Sequence, residues 1–299
     1  MLEKLLNHGW DYHATESERL ARELEMAAAS AIEPAHFAPF LHLSNHTIGE
    51  HLRDWRRART VADCVLATAE PTSETARAWG RLYVARLLGG DPVGATEAEL
   101  KYVGASNAGW DAALLDTRCM LANAMIGSKQ LNDGARTYRA ALALARRVEP
   151  TPALSRGIAA ASNNIAWDLH DSASRSTGED ELMRLAADAS HEYWLKCGTW
   201  INEELALYLK ARVANELGDY QRAIANADQA LAIISANGKR PLDTAQLNLA
   251  RARAFAKLAD ARELARALAS ADDAAAELSD PALRDQFASE RAKVLSDSR

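Results

Sequence analysis

Proline supplies only 8 and glycine only 15 of the 299 residues, so few points force the backbone out of a helix. No stretch of eighteen apolar residues occurs, and no membrane span is expected. The first twenty residues, MLEKLLNHGWDYHATESERL, place His, Asp and Glu where a secretory leader needs an unbroken apolar core. Cysteine is scarce as well. Cys64, Cys119 and Cys197 are far apart and lack CxxC spacing, which excludes a disulfide framework and points to buried thiols in a reducing compartment, the cytoplasm. Basic charge is not in excess: 35 Lys and Arg stand against 41 Asp and Glu, a net charge of −6. A general phosphate-binding surface is therefore not expected, nor is nucleic acid as a partner.

The motifs of catalysis and cofactor binding are missing too. There is no GxGxxG, no GxSxG and no P-loop, and Gly89-Gly90-Asp91-Pro92-Val93-Gly94 reads as a turn between helices. His46-Thr47-Ile48-Gly49-Glu50-His51 does not match HExxH. No catalytic residue and no cofactor are expected, and the chain reads as a non-enzyme.

What the sequence does contain is helix formers in a repeating order. Ala and Leu dominate the apolar segments, and no long run alternates with period two, so the expected class is all-α. One segment, Gly218-Asp219-Tyr220-Gln221-Arg222-Ala223-Ile224 followed by Ala227 and Ala230-Leu231, places a bulky residue ahead of small ones three, seven and ten positions later. That spacing forms one helical stripe. The skeleton recurs at Trp55/Ala58/Ala62/Val65, Pro92/Ala95/Glu99/Tyr102, Leu131/Gly134/Tyr138/Ala141, Met183/Ala186/Ser190/Tyr193 and Ala261/Leu264/Leu268/Ala271, with a degenerate first copy at Ser17/Leu20/Leu24/Ala27. Successive anchors at 17, 55, 92, 131, 183, 220 and 261 are 37 to 41 residues apart except for one step of 52. Each copy follows another helical segment, so the unit is a helix, a tight turn and a second helix. Such periods mark stacked arrays in which no unit buries its apolar face alone.

The Tyr220 unit and the run Asn163-Asn164-Ile165-Ala166-Trp167 resemble the second and first helices of tetratricopeptide repeats. The resemblance implies a right-handed α-solenoid of six to seven helix pairs, read as a single domain over 1–299, with a capping helix over 281–296. The polar run 171–180 inside the long step reads as a solvated loop.

Members of that family bind another protein or a peptide in the concave groove lined by their first helices. Mapped onto this chain, the groove positions hold Arg77, Asn123, Asn163, Asn164, Tyr208, Arg212, Asn215 and Arg253. Asn offers a donor and an acceptor to a bound backbone, and Arg offers a fork to carboxylates. The expected function is a protein- or peptide-binding adaptor or regulatory scaffold. Its long Ala/Leu-rich repeats are similar to the sensory arrays of bacterial signalling proteins. A self-associating homodimer and a small-molecule or metal sensor are the alternatives. For the last, His42, His46 and Glu50 are spaced i, i+4, i+8 on one expected helical face, although no metal site is assigned. The basic run Arg53 to Arg59 reads as the wet side of a helix whose Trp55 and Ala58 face the core.

Overall fold

The turn that ends each first helix repeats more faithfully than the sequence around it. In a computed structural model describing residues 2–297, the residue two places before five of the anchors has a left-handed backbone: Arg53 (φ 56°), Gly90 (83°), Lys129 (67°), Gly218 (75°) and Ala259 (58°). The next residue is an aspartate in four of these turns. Asp54, Asp91, Asp219 and Asp260 each accept from the backbone N–H three residues on, at 3.0, 2.9, 3.4 and 3.1 Å. One residue reverses the chain, and the aspartate then caps an orphan donor at the helix start.

The described residues are all-helical. In chain order the helices are α1 (Leu2–Tyr12), α2 (Ser17–Ala28), α3 (Pro34–Ser44), a π-helical segment (Asn45–His51), α4 (Trp55–Val65), α5 (Ala76–Leu88), α6 (Pro92–Ala105), α7 (Trp110–Gly127), α8 (Leu131–Ala145), α9 (Pro152–His170), α10 (Thr177–Cys197), α11 (Trp200–Glu216), α12 (Tyr220–Asn237), α13 (Pro241–Lys257), α14 (Ala261–Ala276) and α15 (Pro281–Asp297). Six of the seven anchors are the first residues of helices: Ser17, Trp55, Pro92, Leu131, Tyr220 and Ala261. Among the described residues no helix is long and apolar enough to cross a membrane.

The exception is Met183. Helix α10 begins six residues ahead of it, at Thr177, so the run read as a loop over 171–180 is irregular only over 171–176. The cause is a capping box: Glu179 N–H donates to Ser176 Oγ at 3.4 Å, and Ser176 N–H donates to Glu179 Oε2 at 2.7 Å. Arg175 fastens what remains. Its guanidinium donates to the carbonyls of Leu169, His170 and Ser172, each at 3.1 Å, and pairs with Asp180 at 2.9 Å. The segment is solvent-exposed over most of its length, as its polar composition suggests, but it is tied down.

Where the repeat alone reads as one array over 1–299, the chain divides into two compact units, Met1–Leu154 and Ser155–Arg299. In the first unit α5 packs on its partner α6 and lies against both α3 and α7, while α7 pairs with α8. Phe40, Leu41, Leu43, Ile48, Leu82 and Trp79 are buried in its core. In the second unit α11 pairs with α12, α13 pairs with α14, and α13 also touches α11 and α15. Ala223, Ala227 and Ala230 of α12 are fully buried and let the paired helices approach closely. The closing helix α15 buries Phe287 among Leu249, Ala271 and Leu278, and Val294 against Ala252 and Ala267.

Candidate functional site

Six of the eight groove residues named from the sequence fall in the second unit, and four of those share one neighbourhood there. Arg212, one turn beyond Tyr208 on α11, donates to the Tyr208 hydroxyl at 2.7 Å. Its guanidinium carbon lies 5.8 Å from the Trp167 ring centre and 5.7 Å from that of Tyr208. The two rings are 6.1 Å apart. A cation over aromatic faces is attracted by their quadrupoles, which fixes the direction of the guanidinium. Among the described residues Arg212 has no carboxylate partner. Burial holds the Tyr208 hydroxyl above its ordinary range, so it stays protonated as a neutral partner for that charge.

Arg212 opens onto a cleft of about 410 Å³ lined also by Asn215, Gln246, Arg253, Glu290 and Lys293. Asn215 is buried, and its amide donates to the Ala250 carbonyl at 2.8 Å. Its Oδ1 has no hydrogen-bond partner among the described residues. Arg253 pairs with Glu216 at 3.2 Å, and Glu216 also lies 3.8 Å from Arg175. Asn163 and Asn164 bond to each other at 3.3 Å and do not line the cleft. Lys293 and Glu290 escaped the sequence reading because α15 reads there purely as a cap; in fact one face of it closes this cleft.

The other two named residues belong to the first unit. Arg77 lies 3.9 Å from Asp116 at a cleft of about 320 Å³, and Asp116 accepts from the Tyr102 hydroxyl at 2.6 Å. Burial, and then the Asp116 charge, push Tyr102 above its ordinary range. One turn along α5, Arg81 is pushed down to about 10, chiefly by burial and then by the neighbouring Arg77 charge. Asn123 is buried on α7, and its Oδ1 has no hydrogen-bond partner among the described residues.

The histidine-rich start of the chain folds differently from the stripe its spacing suggests. After Ser44 the helix widens: Leu52 N–H reaches back five residues to the Thr47 carbonyl at 3.1 Å. A π-helical turn aligns residues five apart, and the His46 and His51 rings meet with centres 4.7 Å apart. His13, in the turn after α1, comes within 5.0 and 5.1 Å of those two rings. The residues whose ligand atoms converge are thus His13, His46 and His51, where the sequence had indicated His42, His46 and Glu50. His42 packs against Trp10 instead, with ring centres 5.1 Å apart and planes tilted by 60°. It is held well below its ordinary pKa, first by the Arg81 charge and then by burial. Glu50 keeps a supporting place: its Oε2 lies 2.6 Å from His46 Nδ1.

No known family's sequence pattern matches this chain, and no curated protein matches it. Among solved structures, the crystal structure of BtubC (BKLC) from P. vanneervenii superposes with a TM-score of 0.47 at 14% identity, covering 79% of this chain and 91% of that one.

Proposed function

We propose that this chain is a non-enzymatic binding protein, a right-handed tetratricopeptide-like solenoid that holds an extended segment of another protein in the cleft of its second unit. The order of helix contacts supports the solenoid reading, since α13 touches both α11 and α15, and α6, α8, α12 and α14 pack on α5, α7, α11 and α13. The observation that carries the binding reading is Arg212: a guanidinium aimed by Trp167 and Tyr208, with no carboxylate partner among the described residues, facing a cleft. Such a group receives a carboxylate in a forked, charge-assisted pair, and the aromatic faces beside it supply anchor surface. An acidic side chain or a chain-terminal carboxylate on an extended peptide fits this set. Free thiols at Cys64, Cys119 and Cys197 are in keeping with a cytoplasmic setting.

The test is a peptide-display selection on the wild-type chain, followed by titration of the selected acidic peptides against Arg212→Glu and Arg212→Lys. Charge reversal should abolish binding, and Lys, which lacks the fork, should weaken it at least tenfold. Circular dichroism checks that both variants fold. Selected peptides that bind Arg212→Glu as tightly as wild type would place binding elsewhere. A ligand-independent dimer that occludes Arg212 would favour self-association instead.

A further inference from the structure

We propose that His13, His46 and His51 form a zinc-binding site at the N-terminal end of the first unit, with Glu50 holding His46 in its ligating orientation. Three features of the cluster point to a metal rather than to a chance meeting of rings.

The first is distance. The Nε2 atoms of His46 and His51 lie 3.2 Å apart. Two imidazole nitrogens at about 2.0–2.1 Å from a tetrahedral zinc ion stand about 3.3–3.4 Å from each other. The pair therefore already spans one edge of a coordination tetrahedron. The ligand atoms of all three histidines lie within 4.8 Å of one another, so His13, in an irregular turn, has only a short side-chain swing to complete a triangular face.

The second is the placement of protons. His13 Nδ1 lies 2.6 Å from the Trp10 carbonyl oxygen, and His46 Nδ1 lies 2.6 Å from the Glu50 carboxylate. Both oxygens only accept, so each Nδ1 carries the proton, and in the neutral ring the lone pair falls on Nε2. A carboxylate or carbonyl behind a ligating histidine is the usual support of a metal site, fixing the tautomer and raising basicity. Glu50 is itself buried and held in place: a methyl group at Gly127 would lie 2.8 Å from its Oε2.

The third is access. Because His13 and His46 are part-exposed and His51 is exposed, an ion has an entry path, and the fourth position opens to water. Three imidazoles with an open position suit zinc, copper, nickel or cobalt, and the tetrahedral edge favours zinc. A bound ion would join the turn after α1 to the π-helical segment.

The experiment uses the full chain without a histidine tag, stripped with chelator and titrated calorimetrically with zinc chloride at pH 7.5. The expected result is one ion per chain at micromolar dissociation constant or tighter. His46→Ala and His51→Ala should each weaken binding at least a hundredfold, and Glu50→Gln should weaken it ten- to a hundredfold. His42→Ala and the part-exposed His36→Ala should bind as wild type does. His51 is exposed, so its replacement disturbs no core, and circular dichroism confirms the fold. With cobalt(II) as the probe, wild type should show the intense visible absorption of a tetrahedral ion and His51→Ala should not. The proposal is overturned if wild type binds zinc no more tightly than the His13/His46/His51 triple alanine variant. It is equally overturned if His42→Ala weakens binding as much as His46→Ala does.

Discussion

Glu204 offers a quantitative test of the packing in the second unit. Its side chain, on α11, is fully buried, with Arg240 Nε 2.8 Å from Oε1 and Asp243 paired to that same guanidinium. The Arg240–Glu204 contact is close but not aligned as a hydrogen bond, and both carboxylate oxygens lack a hydrogen-bond partner among the described residues. Burial first, and then the nearby Asp243 charge, outweigh Arg240 and raise the Glu204 pKa from 4.5 to about 7. Below pH 4.5 the folded and unfolded chains both carry this proton. Between there and pH 7 the unfolded chain has released it while the folded chain keeps it, so stability falls as pH rises; above pH 7 this contribution is flat. At about 1.36 kcal/mol per pKa unit, the full cost approaches ~3 kcal/mol. Glu204→Gln removes the proton exchange, preserves shape, and leaves Arg240 paired with Asp243. Urea unfolding followed by far-ultraviolet circular dichroism, for both proteins at pH 5 and pH 8, gives the comparison. The advantage of the glutamine variant should grow by about 2–3 kcal/mol between the two pH values. An unchanged advantage, or one that shrinks at pH 8, would show Glu204 ionised in the fold and stabilised by Arg240, and would refute the reasoning.

Two further perturbations probe the turns and the core. Ala259 sits at φ 58°, a conformation that costs a residue with a Cβ about 1–2 kcal/mol; Ala259→Gly should raise the urea midpoint by the equivalent of about 1 kcal/mol, and a loss would show that the strain lies elsewhere. At Gly49 an added methyl would meet the Trp55 ring at 2.5 Å, so Gly49→Ala should destabilise by about 1–3 kcal/mol and shift tryptophan fluorescence, whereas an unchanged melting curve would mean the ring moves freely.

The repeat was legible because its physical marks are local. A small residue is needed where helices touch, and a capping aspartate where the second helix starts, so Asp54, Asp91, Asp219 and Asp260 stand one place ahead of their anchors and the boundaries fall where the spacing puts them. The start of α10 was equally legible in Ser176 and Glu179, but the polar composition around them masked the capping box. Of the cleft residues, Arg212 and Arg253 were found by register, because equivalent positions on successive first helices face the same way, and Asn215 as a residue one turn beyond Arg212. The meeting of His13 with His46 and His51 was not. It depends on a tertiary approach and on a widened helical turn, and the spacing of His42, His46 and Glu50 suits an ordinary α-helix equally well.

That widened turn makes the histidine arrangement a matter of chain length rather than of residue identity. In an α-helix, residues five apart stand about 140° from each other around the axis, so His46 and His51 would face different neighbours. Deleting a single codon between them would return His51 to the four-residue spacing that Glu50 now holds, with every histidine still present in the protein. The carboxylate behind His46 would be displaced, and the imidazole of His51 would take its place on that face of the helix. A mutation that removes no histidine would exchange the partner of His46.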